Sequence, residues 1–159
     1  MSENKKTCCR GPTKRLNLGC GSNLLPSPWV NSDDDIRSVL STYQANTIDE
    51  ILVEHVVEHL SAPEMLRFFD ECFRVLRKNG TLRVCVPTIK GEMTNDHRRD
   101  LILGHGHLQI LHYDNLVWAL QCAGFPTTMS TGRKEIDGHW KVIGVEKDEL
   151  ESLRVEAVK

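Results

Sequence analysis

Short apolar runs alternate with amphipathic stretches along this chain, and the two patterns predict different elements. The runs Arg15–Leu18, Trp29–Ser32 and Ile48–Val53 are brief and bounded by turn residues, which is typical of strands in a parallel sheet. Residues Thr81–Val86 form a fourth such run, which Pro87 stops. The pattern therefore predicts a sheet whose strands are well separated in sequence.

Helical spacing and end signals predict two helices. The first begins at Ser61-Ala62-Pro63-Glu64, a capping-box pattern with proline in the first turn, and we predict that Gly80 ends it as a left-handed cap. The second begins at Asp114 and ends at Gly124-Phe125-Pro126. A weaker helical spacing covers Ile36–Tyr43.

Strands that alternate with capped helices predict an α/β fold with a mainly parallel sheet. Alternating residues over His139–Val145 and Leu153–Val158 predict an antiparallel hairpin at the C-terminal end. Residues 14–159 are expected to form a single domain after a flexible tail over residues 1–13. In such sheets ligands bind at the carboxyl ends of the strands.

Composition narrows the classes of function. The chain has 159 residues, 40% hydrophobic and 26% charged, which is ordinary for a globular protein. A net charge of -2 argues against a general binder of nucleic acids or membrane surfaces. No apolar run approaches the ~20 residues that span a bilayer, and the N-terminus lacks a signal-peptide pattern. We therefore expect a cytoplasmic protein with reduced cysteines and no C-x-x-C zinc site.

The turn Gly19-Cys20-Gly21 follows the first predicted strand and is typical of a backbone that approaches a nucleotide. The dinucleotide fingerprint G-x-G-x-x-G is incomplete, because Leu24 takes the third glycine position and Pro26 and Pro28 follow. No long helix begins there to bind a pyrophosphate. The pattern favours a ligand without phosphates and disfavours a dehydrogenase.

The run Asp33-Asp34-Asp35 ends the second predicted strand. A carboxylate at this place can accept both hydroxyls of a ribose. We favour Asp33 as the ribose ligand because it follows the strand directly, with Asp34 second. For two of the three aspartates, a solvated turn that caps the helix at Ile36 is the open alternative.

These stretches resemble the class I S-adenosylmethionine-dependent methyltransferases, most closely their small type-11-like branch. LNLGCGS is similar to the family's glycine motif, and PWVNSDDDI to its second strand with the ribose-binding acid. The segment from Ile48 to Pro87, with its EHL and LRKNGTL phrases, is similar to the fourth strand, the next helix and the fifth strand. HYDNLVWALQCAGF is similar to the helix before the sixth strand. The resemblance implies a Rossmann-like methyltransferase fold.

The resemblance also implies S-adenosylmethionine as the cofactor and S-adenosylhomocysteine as the product. The glycine turn would lie along the methionine part of the cofactor, and Glu54 and His55 would border the transferable methyl group. The family's acid that contacts the adenine has no clear equivalent, and Gln44 and Asn46 are the candidates in its place. The implied cofactor-binding residues are Asn17, Gly19, Cys20, Gly21, Asp33, Asp34, Gln44, Glu54 and His55.

The chain departs from the larger family in two places. Only SNLLPSPW follows Gly21 before the core of the second strand, which is short for a parallel crossover. Between Asp35 and Asp49 there is little room for a third strand and its helix. We therefore predict a sheet that is compressed around the first crossover and the third strand.

Methyl transfer from a sulfonium is an SN2 displacement, so holding the acceptor in line supplies much of the acceleration. A base matters when the acceptor is a hydroxyl or a protonated amine. The candidate catalytic residues are His55 and Glu58, although Glu58 could instead brace the Ser61 helix. Further base candidates are His59, His105, His107 and His112. No carboxylate is spaced beside the last three histidines, so no metal is predicted.

The predicted function is S-adenosylmethionine-dependent methyl transfer to a small molecule or to a terminal group of a larger substrate. Nucleic acid and membrane are not expected as partners, and the oligomeric state is left open. A methyltransferase-like binding or scaffold protein without catalysis is the alternative, which the compressed adenine side supports.

Overall fold

The computed structural model of the chain describes residues 13–87, 105–130 and 152–159. Among these residues, six strands form one sheet. The strands are β1 (Arg15–Leu18), β2 (Trp29–Ser32), β3 (Ile48–Glu54), β4 (Leu76–Pro87), β5 (Thr127–Ser130) and β6 (Ser152–Val158). The α-helices are α1 (Ala62–Val75) and α2 (Tyr113–Cys122), and short 3-10 turns cover Val39–Thr42 and Val57–His59.

The strand order across the sheet is β2-β1-β3-β4-β6-β5. The first four strands pair in parallel, whereas β6 is antiparallel to both β4 and β5. The prediction of a mainly parallel α/β sheet with an antiparallel C-terminal end is therefore confirmed. Residues Leu153–Val158 lie in β6, and their predicted partner His139–Val145 lies outside the described residues.

Parallel pairing brings the ends of three strands to one edge of the sheet. β1, β2 and β3 end at Leu18, Ser32 and Glu54, and the register pairs Leu18 with both Ser32 and Val53. We call this the carboxyl edge. The loops that follow these three strands therefore lie together at the carboxyl edge, although they are distant along the chain.

The core lies between one face of the sheet and the helices. Alternate residues of β4, among them Leu82 and Val84, are buried in the same cluster as Ile51 of β3 and Phe69 of α1. The helix contributes its apolar face because its hydrophobic residues recur every three or four positions. Burying one such side chain stabilises the fold by about 1.5–3 kcal/mol. This packing fixes the sheet that carries the carboxyl edge.

The predicted end of the first helix was wrong. α1 ends at Val75, and the chain enters β4 at Leu76, which is fully buried and pairs with Ile48. The left-handed residue of this connection is Asn79, with φ 63°, rather than Gly80. A Cβ on Gly80 would lie 2.8 Å from a backbone carbonyl oxygen, so the glycine supplies space and not a helix cap.

The predicted compression is confirmed. Residues 19–28 connect β1 to β2 without a helix, and residues 33–47 contain no strand. The weak helical pattern over Ile36–Tyr43 gives only the 3-10 turn at Val39–Thr42. In the described parts of the chain, no helix is long and apolar enough to cross a membrane.

Ser61 and Glu64 form the predicted capping interaction at the start of α1. The Ser61 backbone N–H donates to Glu64 Oε2 at 2.9 Å, and the Ser61 hydroxyl donates to the same oxygen at 2.6 Å. We expect Ser61→Ala to lower the free energy of unfolding by about 1 kcal/mol, measured by urea denaturation. Ser41→Ala, in an exposed turn, serves as the control with a change within about 0.5 kcal/mol. Equal effects of the two changes would contradict this prediction.

Candidate functional site

The glycine turn that follows β1 lies at the carboxyl edge. Gly19 has φ 63° and Gly21 has φ 48°, both in the left-handed region that favours glycine. A Cβ on Gly19 would lie 2.4 Å from Val56 Cγ2, whereas a Cβ on Gly21 would have nothing within 4 Å. Gly19 therefore lets the turn pack against the segment after β3, and Gly21 leaves the outer side of the turn open.

Two asparagine side chains hold the loop that replaces the first crossover helix. Asn17 of β1 is 4% exposed, and its side-chain amide donates to Asn31 Oδ1 and to the Asn23 carbonyl, both at 2.8 Å. Asn31 of β2 accepts from the Leu25 backbone N–H at 2.9 Å and donates to the Leu25 carbonyl at 2.8 Å. We call Asn17 and Asn31 the asparagine clamp. It satisfies loop groups that a helix would otherwise pair.

The clamp changes the picture of Asn17. The family resemblance implies that Asn17 lies beside the cofactor. In the structure, its side-chain amide nitrogen already donates hydrogen bonds to the Asn23 carbonyl and to Asn31. Asn31 was missed by sequence reasoning. The one signal in the sequence that could have indicated its role is a polar amide side chain inside the short strand β2.

The three aspartates after β2 have three different partners. Asp33 Oδ1 accepts from the Gly21 backbone N–H at 3.1 Å, at the glycine turn. Asp34 accepts from the Ser32 hydroxyl at 2.8 Å. Asp35 pairs with the Arg37 guanidinium at 2.9 Å, which lowers the pKa of the Asp35 carboxyl. Of the three carboxylates, Asp33 is the one that the structure brings to the glycine turn.

Cys20, between the two glycines, is buried. Burial, together with the neighbouring Asp33 carboxylate, raises the pKa of its thiol. The side chain is therefore neutral at physiological pH and packs as a small apolar group.

Gln44 is not brought to this edge. It is exposed and lies between the 3-10 turn at Val39–Thr42 and the first residue of β3, where its carbonyl accepts from the Thr47 hydroxyl at 2.7 Å. Thr47 in turn donates its backbone N–H to the carbonyl of Val75, the last residue of α1. These contacts place Gln44 at the opposite, amino edge of β3, away from the glycine turn.

Glu54 and His55 come at the end of β3. Burial raises the pKa of the Glu54 carboxyl. His55 has φ 53°, an uncommon conformation for a residue with a side chain, and its backbone N–H donates to the Cys85 carbonyl at 2.9 Å. Such strained residues occur often at functional sites.

The His55 ring lies between two groups. Its Nε2 is 4.0 Å from Cys85 Sγ, and its Nδ1 is 3.5 Å from Glu58 Oε1. The Cys85 sulfur and the Glu58 carboxylate raise the pKa of His55 to about 10. His55 is therefore protonated at neutral pH and presents a hydrogen-bond donor at the carboxyl edge.

Glu58 lies in the 3-10 turn after β3 and is 1% exposed. Its backbone carbonyl accepts from the Leu108 N–H at 2.9 Å, which ties residues 105–109 to this turn. The cap at Ser61 is formed by Glu64, as the capping-box pattern predicted. The Glu58 backbone therefore holds residues 105–109, and its side chain lies beside His55 and His107.

Residues 105–109 bring His107 to Glu58. His107 Nε2 is 3.9 Å from Glu58 Oε1, and the His107 ring packs edge-on against the His59 ring with centroids 4.8 Å apart. Burial lowers the pKa of His107. His112 is exposed at the start of α2, where its carbonyl accepts from the Leu116 N–H. No carboxylate is spaced beside His105 or His107 in the sequence, and the structure brings Glu58 to His107 from a distant segment.

Residues 32–84 match the family model described as a methyltransferase domain, of the type-11 group. No curated protein matches the sequence. Among solved structures, an S-adenosylmethionine-dependent methyltransferase from Archaeoglobus fulgidus superposes with a TM-score of 0.66 at 13% identity, covering 94% of this chain and 87% of that one.

Two other solved structures have the same fold. An arsenic(III) S-adenosylmethionine methyltransferase from Chlamydomonas reinhardtii has a TM-score of 0.57 at 14% identity, covering 92% of this chain and 62% of that one. Phosphoethanolamine N-methyltransferase 2 from Haemonchus contortus, in complex with S-adenosyl-L-methionine, has a TM-score of 0.65 at 8% identity. That match covers 92% of this chain and 48% of the other.

The sheet order and these matches define a Rossmann-like methyltransferase fold. Residues 32–84 are similar to the methyltransferase-domain family, which agrees with the predicted class I, type-11-like resemblance over about a third of the chain.

Proposed function

We propose that the protein binds S-adenosylmethionine at the carboxyl edge and transfers its methyl group to a small molecule or to a terminal group of a larger substrate. The observation that carries this proposal is the contact between Asp33 and the glycine turn. β1 lies between β2 and β3, so the chain leaves β1 in one direction across the sheet and returns in the other. Ligands bind at such switch points in parallel sheets.

In this proposal the glycine turn and Asp33 bind different parts of the cofactor. The turn of Gly19, Cys20 and Gly21 accommodates the methionine part, because Gly21 leaves open space where a side chain would otherwise stand. Asp33 is exposed, and its Oδ1 accepts a hydrogen bond from the Gly21 N–H. Its other carboxylate oxygen is therefore available to the ribose hydroxyls in this proposal. Asp34 is a second, weaker candidate because it bonds Ser32.

The acceptor side of the site is formed by the end of β3 in this proposal. Glu54 and His55 border the methyl group, and Glu58 lies 3.5 Å from His55. Because the methyl group of a sulfonium is already activated, the chain mainly has to orient the acceptor and keep water away. His55, whose side chain is exposed, is the proposed catalytic residue and lies where it can hydrogen-bond an acceptor. Glu58 is buried beside it, so its proposed role is to position the His55 ring.

Support for this cofactor comes from two directions. The matched residues 32–84 include Asp33, His55 and Glu58, and are described as a methyltransferase domain. Solved proteins of the same fold are named as S-adenosylmethionine-dependent enzymes. Those named acceptors differ, from arsenic(III) to phosphoethanolamine, so the shared fold is compatible with many acceptors.

The second candidate function is a methyltransferase-like binding protein without turnover. It is favoured by the connection over residues 33–47, which offers no strand beyond β2 to shape an adenine pocket. In this case the cofactor or its product would bind while methyl transfer would be absent.

Calorimetry with S-adenosylmethionine, S-adenosylhomocysteine and NAD tests the proposal. We expect both sulfur nucleotides to bind the full chain with one site and NAD to give no heat, because the turn lacks a helix N-terminus for a pyrophosphate. Absence of binding by either sulfur nucleotide to folded protein would refute the cofactor assignment. Production of S-adenosylhomocysteine with a panel of hydroxyl, thiol and amine acceptors then separates the enzyme from the binding protein.

A further inference from the structure

The Glu58 carboxylate is buried without a hydrogen bond. The residue is 1% exposed, and neither carboxyl oxygen has a hydrogen-bond partner among the described residues. An isolated buried carboxylate costs several kcal/mol unless a cation compensates it. The groups nearby are imidazoles at longer range, with His55 Nδ1 at 3.5 Å and His107 Nε2 at 3.9 Å from Oε1. His55 places one positive charge beside Oε1 without a hydrogen bond, and Oε2 has no hydrogen-bond partner among the described residues, so the carboxylate has room for a further cation.

Glu58, His59 and His107 offer a set of metal ligands. One ligand atom from each of the three residues lies within 4.8 Å of the others. Zinc bonds of about 2.0–2.2 Å require ligand atoms about 3.3 Å apart, so modest side-chain rotations would close the set. Two imidazoles and one carboxylate are ligands that zinc accepts in proteins, and three protein ligands leave a fourth position for water.

The hydrogen bond made by His59 fits a ligand role. His59 Nδ1 lies 3.2 Å from the Gly106 carbonyl oxygen. A carbonyl oxygen only accepts, so Nδ1 carries the proton and Nε2 keeps its lone pair for a metal. Histidines that bind metals commonly donate their other ring nitrogen to a carbonyl in this way, which fixes tautomer and orientation.

The two segments that carry the ligands are tied together. The backbone N–H groups of Leu108 and Gln109 donate to the Glu58 carbonyl at 2.9 and 3.3 Å. The Gln109 side chain donates to the Leu60 carbonyl at 3.0 Å. These contacts hold residues 105–109 against the turn Val57–His59, so the ligands come from a preformed arrangement rather than from one mobile loop.

We propose that Glu58, His59 and His107 bind a divalent transition-metal ion of the zinc type. The site lies beside His55 at the carboxyl edge, so a bound ion would be a neighbour of the proposed acceptor pocket. The metal site does not depend on the proposed function, because it is built from these three side chains and can be measured without any nucleotide.

The test uses the full chain without a polyhistidine tag. Zn²⁺ is titrated by calorimetry, and Co²⁺ by its visible absorption, which reports tetrahedral geometry. We expect one ion per chain. We expect Glu58→Gln and His107→Ala each to weaken binding at least about tenfold, because changes even to residues behind metal ligands cost 10–100-fold. We expect Zn²⁺ to raise the Tm of the natural chain and to leave the Tm of these variants unchanged.

Two further variants keep the test decisive. His59→Ala changes an exposed side chain, so it serves if a substitution at buried Glu58 prevents folding, and it too is expected to lose binding. His112→Ala is the matched control, a histidine from the same region that lies outside the ligand set, and is expected to bind as the natural chain does. Absence of binding to the natural chain, or unchanged binding by Glu58→Gln and His59→Ala, would overturn the proposal.

Discussion

Asp33→Asn is expected to weaken the binding of S-adenosylhomocysteine by tenfold or more. The substitution keeps the size of the side chain and removes its charge, so the two charge-assisted hydrogen bonds proposed for the ribose would become neutral ones. Each such bond contributes about 1.5–3 kcal/mol, and about 1.4 kcal/mol corresponds to a tenfold change in the dissociation constant. Calorimetry on the purified chain measures the effect directly.

Asp35→Asn is the matched control for this change. It removes the same charge two positions further along, from a carboxylate that pairs with Arg37. We expect its affinity for S-adenosylhomocysteine to stay within about twofold of the natural chain, since its carboxylate is engaged by Arg37. Equal losses in the two variants would mean that general charge, rather than a ribose contact, controls binding. Unchanged affinity in Asp33→Asn would place the ribose elsewhere.

Gly19→Ala is expected to lower the free energy of unfolding by about 2–5 kcal/mol. A Cβ at this position would meet Val56 Cγ2 at 2.4 Å, and overpacking of this kind costs about 1–3 kcal/mol. The left-handed backbone adds about 1–2 kcal/mol for any residue with a Cβ. Urea denaturation measures the loss, and the same displacement of the turn is expected to weaken cofactor binding.

Gly21→Ala separates the two parts of that effect. Its backbone is also left-handed, but nothing lies within 4 Å of an added Cβ, so only the conformational cost of about 1–2 kcal/mol is expected. Combining Gly19→Ala with Val56→Ala should recover part of the loss caused by Gly19→Ala, because the clash is removed. A Gly19→Ala variant as stable as Gly21→Ala would show that the contact with Val56 is not tight.

The sheet was predictable from the sequence because its strands are short apolar runs between clear turn signals. β1 and β2 have the predicted ends, and the capping pattern at Ser61 located the start of α1. The end of α1 was not predictable from local signals. Gly80 is a typical helix terminator, but pairing of the buried Leu76 with Ile48 draws the chain into β4 earlier. Long-range pairing of this kind overrides a local preference.

The site was partly predictable for the same reason. Asp33 could be ranked above Asp34 because it directly follows a strand end, and the structure places it at the glycine turn. Val56 packs against Gly19, and Asn31 bonds Asn17. Both contacts join segments that are separate in sequence, so no local pattern predicts them. The approach of His107 to Glu58 likewise depends on how residues 105–109 are tied to the turn after β3.

The asparagine clamp couples the cofactor loop to the stability of the sheet's border. Among the strands that the structure describes, β2 is an edge strand of four residues that pairs with β1 alone, so it is expected to fray more readily than the interior strands. Because Asn31 of β2 holds Leu25, opening of this strand releases the loop as well. The amides of the loop and of β2 should then exchange with solvent hydrogen in a single cooperative opening. A ligand bound at the turn is expected to slow the exchange of both, so that ligand binding stabilises this border of the sheet together with the loop.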